Sequence, residues 1–301
     1  MSDGGMKFPY FFSGGKKIGV KFLSTVGVGL FSTVTNEMKY YIISFDCETT
    51  GLSVARDQIV EFGAVVRLWD TDGDIQELAP FAMYCRPTVA TMSRRASEIT
   101  GITMSSLDKH PTIKTVLESF KDHLEVVCAD PDIPRVLVSY NGFAYDIPIV
   151  VAEAERCGLS ATTYFRELRI QTSVDVLLFG REVLDATCLV RKANGKCSYR
   201  LGDVYVACCK RPLLNAHGAV ADSRAVLDIL GCADVQCRFH ALLADSVGRK
   251  CVTNPMVLIR AIVARMHKGQ ATKKQSASKR FLDMFEASTN KKKKHKSGAL
   301  E

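Results

Sequence analysis

Tyr40-Tyr41-Ile42-Ile43-Ser44-Phe45-Asp46-Cys47-Glu48-Thr49-Thr50-Gly51-Leu52 opens the regularly patterned part of this chain. The run before Asp46 is β-branched and aromatic, the composition of a buried strand, and that strand is expected to end at Asp46. Strand side chains alternate between faces, so Asp46 and Glu48, two positions apart, project the same way. Neighbouring carboxylates repel and are costly to hold together unless a cation neutralises them. The pair therefore points to a divalent-metal site at the end of a strand.

Downstream, Gln58–Leu68 has the apolar pattern of a second strand, with Thr71-Asp72-Gly73-Asp74 as its turn, and Phe81–Cys85 that of a third. Ser93–Ile99 and Ile113–Val127 read as helices, the latter with Ile113, Val116, Leu117, Phe120 and Leu124 on one face. Val136–Val138 is a short strand and Asp146–Cys157 a helix. Ser173–Phe179 is strand-like. Helices are expected over Leu201–Cys209, Val220–Cys232, Val235–Val247 and Met256–Met266, the last packing on the core or capping it. Strands first and helices interleaved afterwards indicate a mixed sheet covered by helices.

The chain has 301 residues, 47% of them hydrophobic, enough for one large α/β domain with extensions or for two small ones. Its eleven cysteines form no C-x-x-C pair, and no convincing secretory signal precedes them. That favours reduced thiols in an intracellular compartment. Cys232, Cys237 and His240 match no standard zinc spacing, and the two cysteines are expected to be buried on helices.

The net charge of +8 sits at the ends. Residues 268–301 hold ten Lys/Arg against three Asp/Glu, whereas residues 38–267 hold 26 against 27. We accordingly divide the chain into an extension over 1–37, a globular domain over 38–267 and a basic, largely disordered tail over 268–301. For 1–37, two readings stay open: a flexible extension, or an acid-poor, Ser-rich targeting peptide. In the tail, Lys291–Lys296 is either a basic run of the nuclear-targeting or nucleic-acid-binding kind or a merely solvated stretch. Residues 279–286 form an amphipathic island suited to a protein partner or to the chain's own surface. No stretch is long and unbroken enough to span a membrane. The nucleus is the favoured location, a mitochondrion or another organelle the alternative.

Two further places carry chemistry. Asp146, in Ser139-Tyr140-Asn141-Gly142-Phe143-Ala144-Tyr145-Asp146-Ile147-Pro148, starts a helix just beyond a strand; alone it would be a helix cap. In Ala216-His217-Gly218-Ala219-Val220-Ala221-Asp222, the histidine falls in the loop before a helix and Asp222 in its first turns. Each is weak evidence by itself.

Together, Asp46-x-Glu48, Asp146 and His217-x4-Asp222, in this order and at these separations, resemble the DEDDh family of 3′→5′ exonucleases. Asp57–Ala64 resembles the family's second strand, and Ser97-Glu98-Ile99-Thr100-Gly101-Ile102 its I-T-G-I/L segment. Ser198–Tyr205 and Tyr140-Asn141-Gly142 look like the three-prime repair exonuclease branch. The resemblance covers about residues 38–235 and neither tail. Asp185–Cys197 matches no motif and is expected to be a variable loop.

The resemblance implies a ribonuclease H-like fold and two Mg²⁺ or Mn²⁺ ions per active site. Oxygen-only ligands suit those ions. Asp46, Glu48 and Asp222 would hold the water-activating metal, Asp46 would bridge to the second, and Asp146 would assist it through water. His217 would be the general base, since an imidazole titrates near neutrality. Backbone around Thr49, Gly51 and Leu52 would approach the terminal nucleotide, Leu52 and Ile99 would wedge against its base, and Asn141 and Tyr145 would touch sugar or phosphate. Thr50 is expected to form the turn. The implied activity is hydrolysis of single-stranded or frayed 3′ ends to 5′-mononucleotides, with DNA favoured and a role in repair. An RNA substrate is one alternative, and a non-catalytic nucleic-acid-binding module on the same fold is another.

Overall fold

Successive residues of the first strand, β1 (Lys39–Thr49), are buried on opposite faces of the sheet. Tyr41, Ile43, Phe45 and Cys47 enter one core, while Ile42 enters a second on the other side. A strand covered on both faces reads as a nearly continuous apolar run, which is why Tyr40–Phe45 does. The computed structural model of the chain describes residues 38–70, 75–245 and 249–268.

β1 pairs antiparallel with β2 (Ile59–Asp70), which also pairs with β3 (Ile75–Glu77) and β4 (Phe81–Tyr84). On its other side β1 runs parallel to β5 (Arg135–Ser139), followed by β6 (Ile170–Asp175) and β7 (Val252–Thr253). The result is a mixed seven-stranded sheet in the order β3-β2-β1-β5-β6-β7, with β4 also on β2. One face is covered by α2 (Ile113–Val127), α3 (Asp146–Arg156) and α4 (Ala161–Glu167). The other face is covered by α5 (Val176–Val183), α7 (Ala219–Leu230) and α8 (Ala233–Ala244), with α6 (Leu201–Cys209) packed outside α7. A short α1 (Arg94–Thr100) precedes α2, and α9 (255–268) lays Ile259 into the first core.

Several expectations are corrected. β1 runs through Thr49, so Asp46 and Glu48 lie inside the strand rather than at its end. Ser173–Phe179 is not one strand. β6 stops at Asp175, whose carboxylate accepts the Leu177 and Leu178 amides and starts α5. Helix α4, capped by the Ser160 side chain, and the short strands β3 and β7 were not anticipated. Cys237, expected in the interior, is exposed on α8, and Cys232 is only half-buried. All eleven cysteines are free.

The charged tail with residues 279–286 and Lys291–Lys296, the extension over 1–37 and the Thr71–Asp74 turn lie outside the described residues. Among the described residues, no helix is long and apolar enough to cross a membrane.

The contact that positions the site is β2 against the start of α7. Gly63 lies where a Cβ would come within 2.5 Å of the Ala219 carbonyl carbon and the Val220 nitrogen. Ser223 Oγ donates to the Gly63 carbonyl at 3.2 Å. Farther along α7, Asp228 pairs with Arg67 at 2.6 Å and Arg224 pairs with Glu77 at 2.9 Å. Arg67 is largely shielded from solvent, so its pair is better placed to stabilise the contact than the more exposed Arg224 pair.

Candidate active site

Alternation along β1 puts Ile42, Ser44, Asp46 and Glu48 on the face that α7 covers. Asp222, in the first turn of α7, descends onto the two strand acids. One ligand oxygen from each of Asp46, Glu48 and Asp222 lies within 4.8 Å of the others. Asp146 reaches the same place from the first turn of α3, just past the end of β5, and is 5% exposed. His217 comes from the α6–α7 loop in a left-handed conformation, φ 68°, uncommon for a residue with a side chain. Its imidazole is exposed and its amide donates to Asp222 Oδ2 at 3.3 Å.

These five residues line one open cleft of about 420 Å³, shared with Leu52, Asn141 and Tyr145. Leu52 projects from it at 86% exposure. Thr49, Gly51 and Ile99 do not line the cleft. Thr49 and Tyr145 aim their hydroxyls at the Gly51 carbonyl, at 2.7 and 2.5 Å, and so pin the turn that carries Leu52. Ile99 is half-exposed on α1. The Ser93 amide that begins α1 donates to the Thr50 carbonyl at 2.7 Å, tying that helix to the same turn. Thr50 has the turn-forming place expected of it, accepting the Gln58 amide and facing Asp57.

The electrostatics are those of a crowded acidic cluster. Burial raises the Asp46 carboxyl well above its ordinary range, and the charges of Asp146, Glu48, Asp222 and Glu61 add to it. Glu48 is pushed up to about 8, by burial first and then by Asp222 and Glu61. Asp146 rises to about 7 through burial, with the Asp175 charge adding to it, against the lowering effect of its own amide and that of Cys47. Asp222 is raised by burial, and the His217 amide opposes the shift. No lysine or arginine enters the cleft lining among the described residues. Asp222 Oδ1 is buried without a hydrogen-bond partner. Such groups are rarely left so unless something absent from the polypeptide satisfies them. An all-oxygen donor set with an orphaned carboxylate oxygen fits a hard divalent cation.

Glu61 is the member of the cluster that the sequence reading did not single out as a site residue. It faces Glu48 across the β1–β2 register and accepts the Ala219 amide, at 3.4 Å, at the start of α7. Its proximity is legible only once the strand register is known.

A family model described as an exonuclease (RNase_T) matches residues 43–230. Over 127 residues, 39% of this chain, the sequence is 35% identical to the PolC-type DNA polymerase III of Thermotoga petrophila, of which the match covers 9%. It is 23% identical to ribonuclease T of Vibrio cholerae over 157 residues, 50% of this chain and 68% of that protein. The fold is similar to that of Escherichia coli exonuclease I in complex with a dT13 oligonucleotide, with a TM-score of 0.56 and 20% identity, covering 68% of this chain and 43% of that one. The chain thus spans only a small part of the polymerases it matches and less than half of exonuclease I.

Proposed function

The chain belongs to the DEDDh-type exonuclease family, whose model matches residues 43–230, and from that premise we propose that it hydrolyses nucleic-acid 3′ ends to 5′-mononucleotides. The observation that carries the reading is the convergence of Asp46, Glu48, Asp146 and Asp222 with the exposed His217 in one open cleft. We place this activity in residues 38–267, with 1–37 and 268–301 as extensions and the basic tail as a nuclear address.

A pair of Mg²⁺ or Mn²⁺ ions would supply the charge neutralisation that both ends of an in-line phosphodiester displacement require. Asp46, Glu48 and Asp222 would hold one ion, and Asp46 with Asp146 would serve a second. His217 removes the proton from the attacking water as general base. Its place on a loop with an exposed ring leaves it free to meet that water. Leu52, held out by the pinned turn, takes an apolar position against the terminal base, with Ile99 on the tethered α1 behind it. Asn141 lies where a sugar or phosphate oxygen would pass. Tyr145 acts mainly through the turn it holds.

Single-stranded or frayed DNA is the favoured substrate, and the oligonucleotide bound in the exonuclease I relative supports it. RNA is the second reading, supported by the similarity to ribonuclease T. The deciding experiment incubates matched 5′-labelled DNA and RNA strands with Mg²⁺ and with chelator. A ladder shortening from the 3′ end, abolished by chelator, is expected, faster on DNA. His217→Ala should slow it by ~10²-fold or more while sparing metal uptake and fold. Activity that survived both His217→Ala and Asp46→Ala would sink the assignment.

A further inference from the structure

Asp175, the last residue of β6, is a carboxylate only 1% exposed, with no ion pair among the described residues and no metal-holding or proton-transfer role in the chemistry above, although its charge helps to raise the Asp146 carboxyl. Backbone amides satisfy it from two directions. Oδ1 accepts from Leu177 at 3.0 Å and Leu178 at 3.2 Å, which is ordinary capping of α5. Oδ1 also accepts from Asn141 at 3.2 Å, and Oδ2 from Phe143 at 3.1 Å. Those last two amides belong to a different connection, the one between β5 and α3.

That connection forms a wall of the cleft and ends at Asp146, the first residue of α3. It is a tight path. Asn141 is left-handed at φ 63°, and a Cβ on Gly142 would fall 2.5 Å from the Ser139 Cβ. The Asn141 carbonyl accepts from Ala144 at 3.1 Å and the Gly142 carbonyl from Ile147 at 3.0 Å. Two amides of this turn therefore have their acceptor on the neighbouring strand, at the residue paired with Ser139 in the β5–β6 register.

Resting on the exonuclease reading, we propose that Asp175 is a positioning residue for the cleft: its carboxylate clamps the Asn141–Phe143 turn, and through it sets where Asn141 and Asp146 stand. A helix cap alone needs one acceptor oxygen. Here the second oxygen is spent on Phe143, in a segment that no cap requires. A buried carboxylate accepting from amides is stronger than a neutral acceptor, so the clamp is stiff.

Asp175→Asn separates the two tasks, because asparagine caps a helix as well as aspartate does. Its oxygen can keep the Leu177, Leu178 and Asn141 amides, but its NH₂ then faces the Phe143 amide, donor against donor. In full-length protein without metal, amide hydrogen exchange is expected to speed up over 141–147 while Leu177 and Leu178 stay protected. In a Mn²⁺ titration the half-saturating concentration should rise by roughly tenfold, and kcat on a 3′-ended oligonucleotide should fall by roughly tenfold to a hundredfold. Asp175→Ala should add loss of protection in α5. Ser160→Ala, which removes the cap of α4 outside the cleft, should lower the melting temperature without moving either functional readout.

Unchanged Mn²⁺ uptake and rate in Asp175→Asn would overturn the inference. So would a loss that tracks exchange at Leu177 and Leu178, because it would assign Asp175 to α5 alone. A wild-type chain that takes up no Mn²⁺ removes the proposed function and this inference with it, and that outcome shows before any variant is made.

Discussion

Asp46 is the most burdened side chain of the cleft. Burial disfavours its charge first, and Asp146, Glu48, Asp222 and Glu61 all act in the same direction. A residue kept at such cost is a place where stability and function conflict. Asp46→Asn should raise the metal-free melting temperature by about 2–4 °C for each ~1 kcal/mol of repulsion relieved. The same change should lower exonuclease activity by ~10²-fold or more, since a pre-placed charge is lost. A thermal melt in chelator beside a rate measurement checks both, and a destabilised, active variant would contradict the reading. Tyr145 makes the opposite case. Its hydroxyl meets the Gly51 carbonyl and the Thr49 hydroxyl, so Tyr145→Phe loosens the turn under Leu52 without touching the acids. At ~1 kcal/mol for the lost bond, KM should rise about fivefold with kcat nearly unchanged. A fall in kcat with constant KM would instead place the hydroxyl in the chemistry.

The seam between β2 and α7 transmits sheet geometry to the cleft, because α7 carries Asp222 and follows the loop that presents His217. Gly63→Ala would press a methyl against backbone atoms of Ala219 and Val220, which cannot swing aside as a side chain could. It should destabilise by about 1–3 kcal/mol. Metal uptake should weaken as well, because Asp222 moves with its helix. Gly101→Ala provides the comparison. That glycine is left-handed at φ 72° with nothing within 4 Å, so the change costs ~1–2 kcal/mol of strain and leaves metal uptake alone. Equal metal affinity in the two variants would show that α7 does not depend on this contact. The elements themselves were unevenly legible in the sequence. β1, α2 and the α7 segment were readable because long apolar periods have a single interpretation. The β6–α5 junction was not, because Ser173–Phe179 stays apolar across it, and only the capping role of Asp175 marks the change of period. α4 is a short helix, and β3 and β7 are strands of three and two residues, too brief to show a period. Four acids and a histidine were found through local motifs. Glu61 and Asp175 escaped because their importance lies in pairing across strands and in backbone amides, neither of which a linear pattern displays.

At the scale of the molecule, residues 38–267 are almost neutral overall, yet they concentrate five carboxylates around one cleft. The metal-free fold tolerates this by holding protons. Glu48 is pushed up to about 8 and Asp146 to about 7, while free carboxyls titrate near ~4. Between those limits the folded chain binds more protons than the unfolded one, so its stability must fall as pH rises. The contribution is complete below the ordinary carboxylate range and is lost as pH climbs through about 7 to about 8. A divalent cation competes with these protons and supplies the charge they provided, so its stabilising effect runs the other way and grows with pH. In chelator, the melting temperature should therefore be lower at about pH 8.5 than at about pH 5.5, and added Mg²⁺ or Mn²⁺ should raise it more at the higher pH. Asp46→Asn should flatten the chelator curve, because it removes the charge that the other acids repel most. A metal increment that is equal at both pH values, or larger in acid, would mean that the carboxylates do not exchange protons for a cation in this cleft.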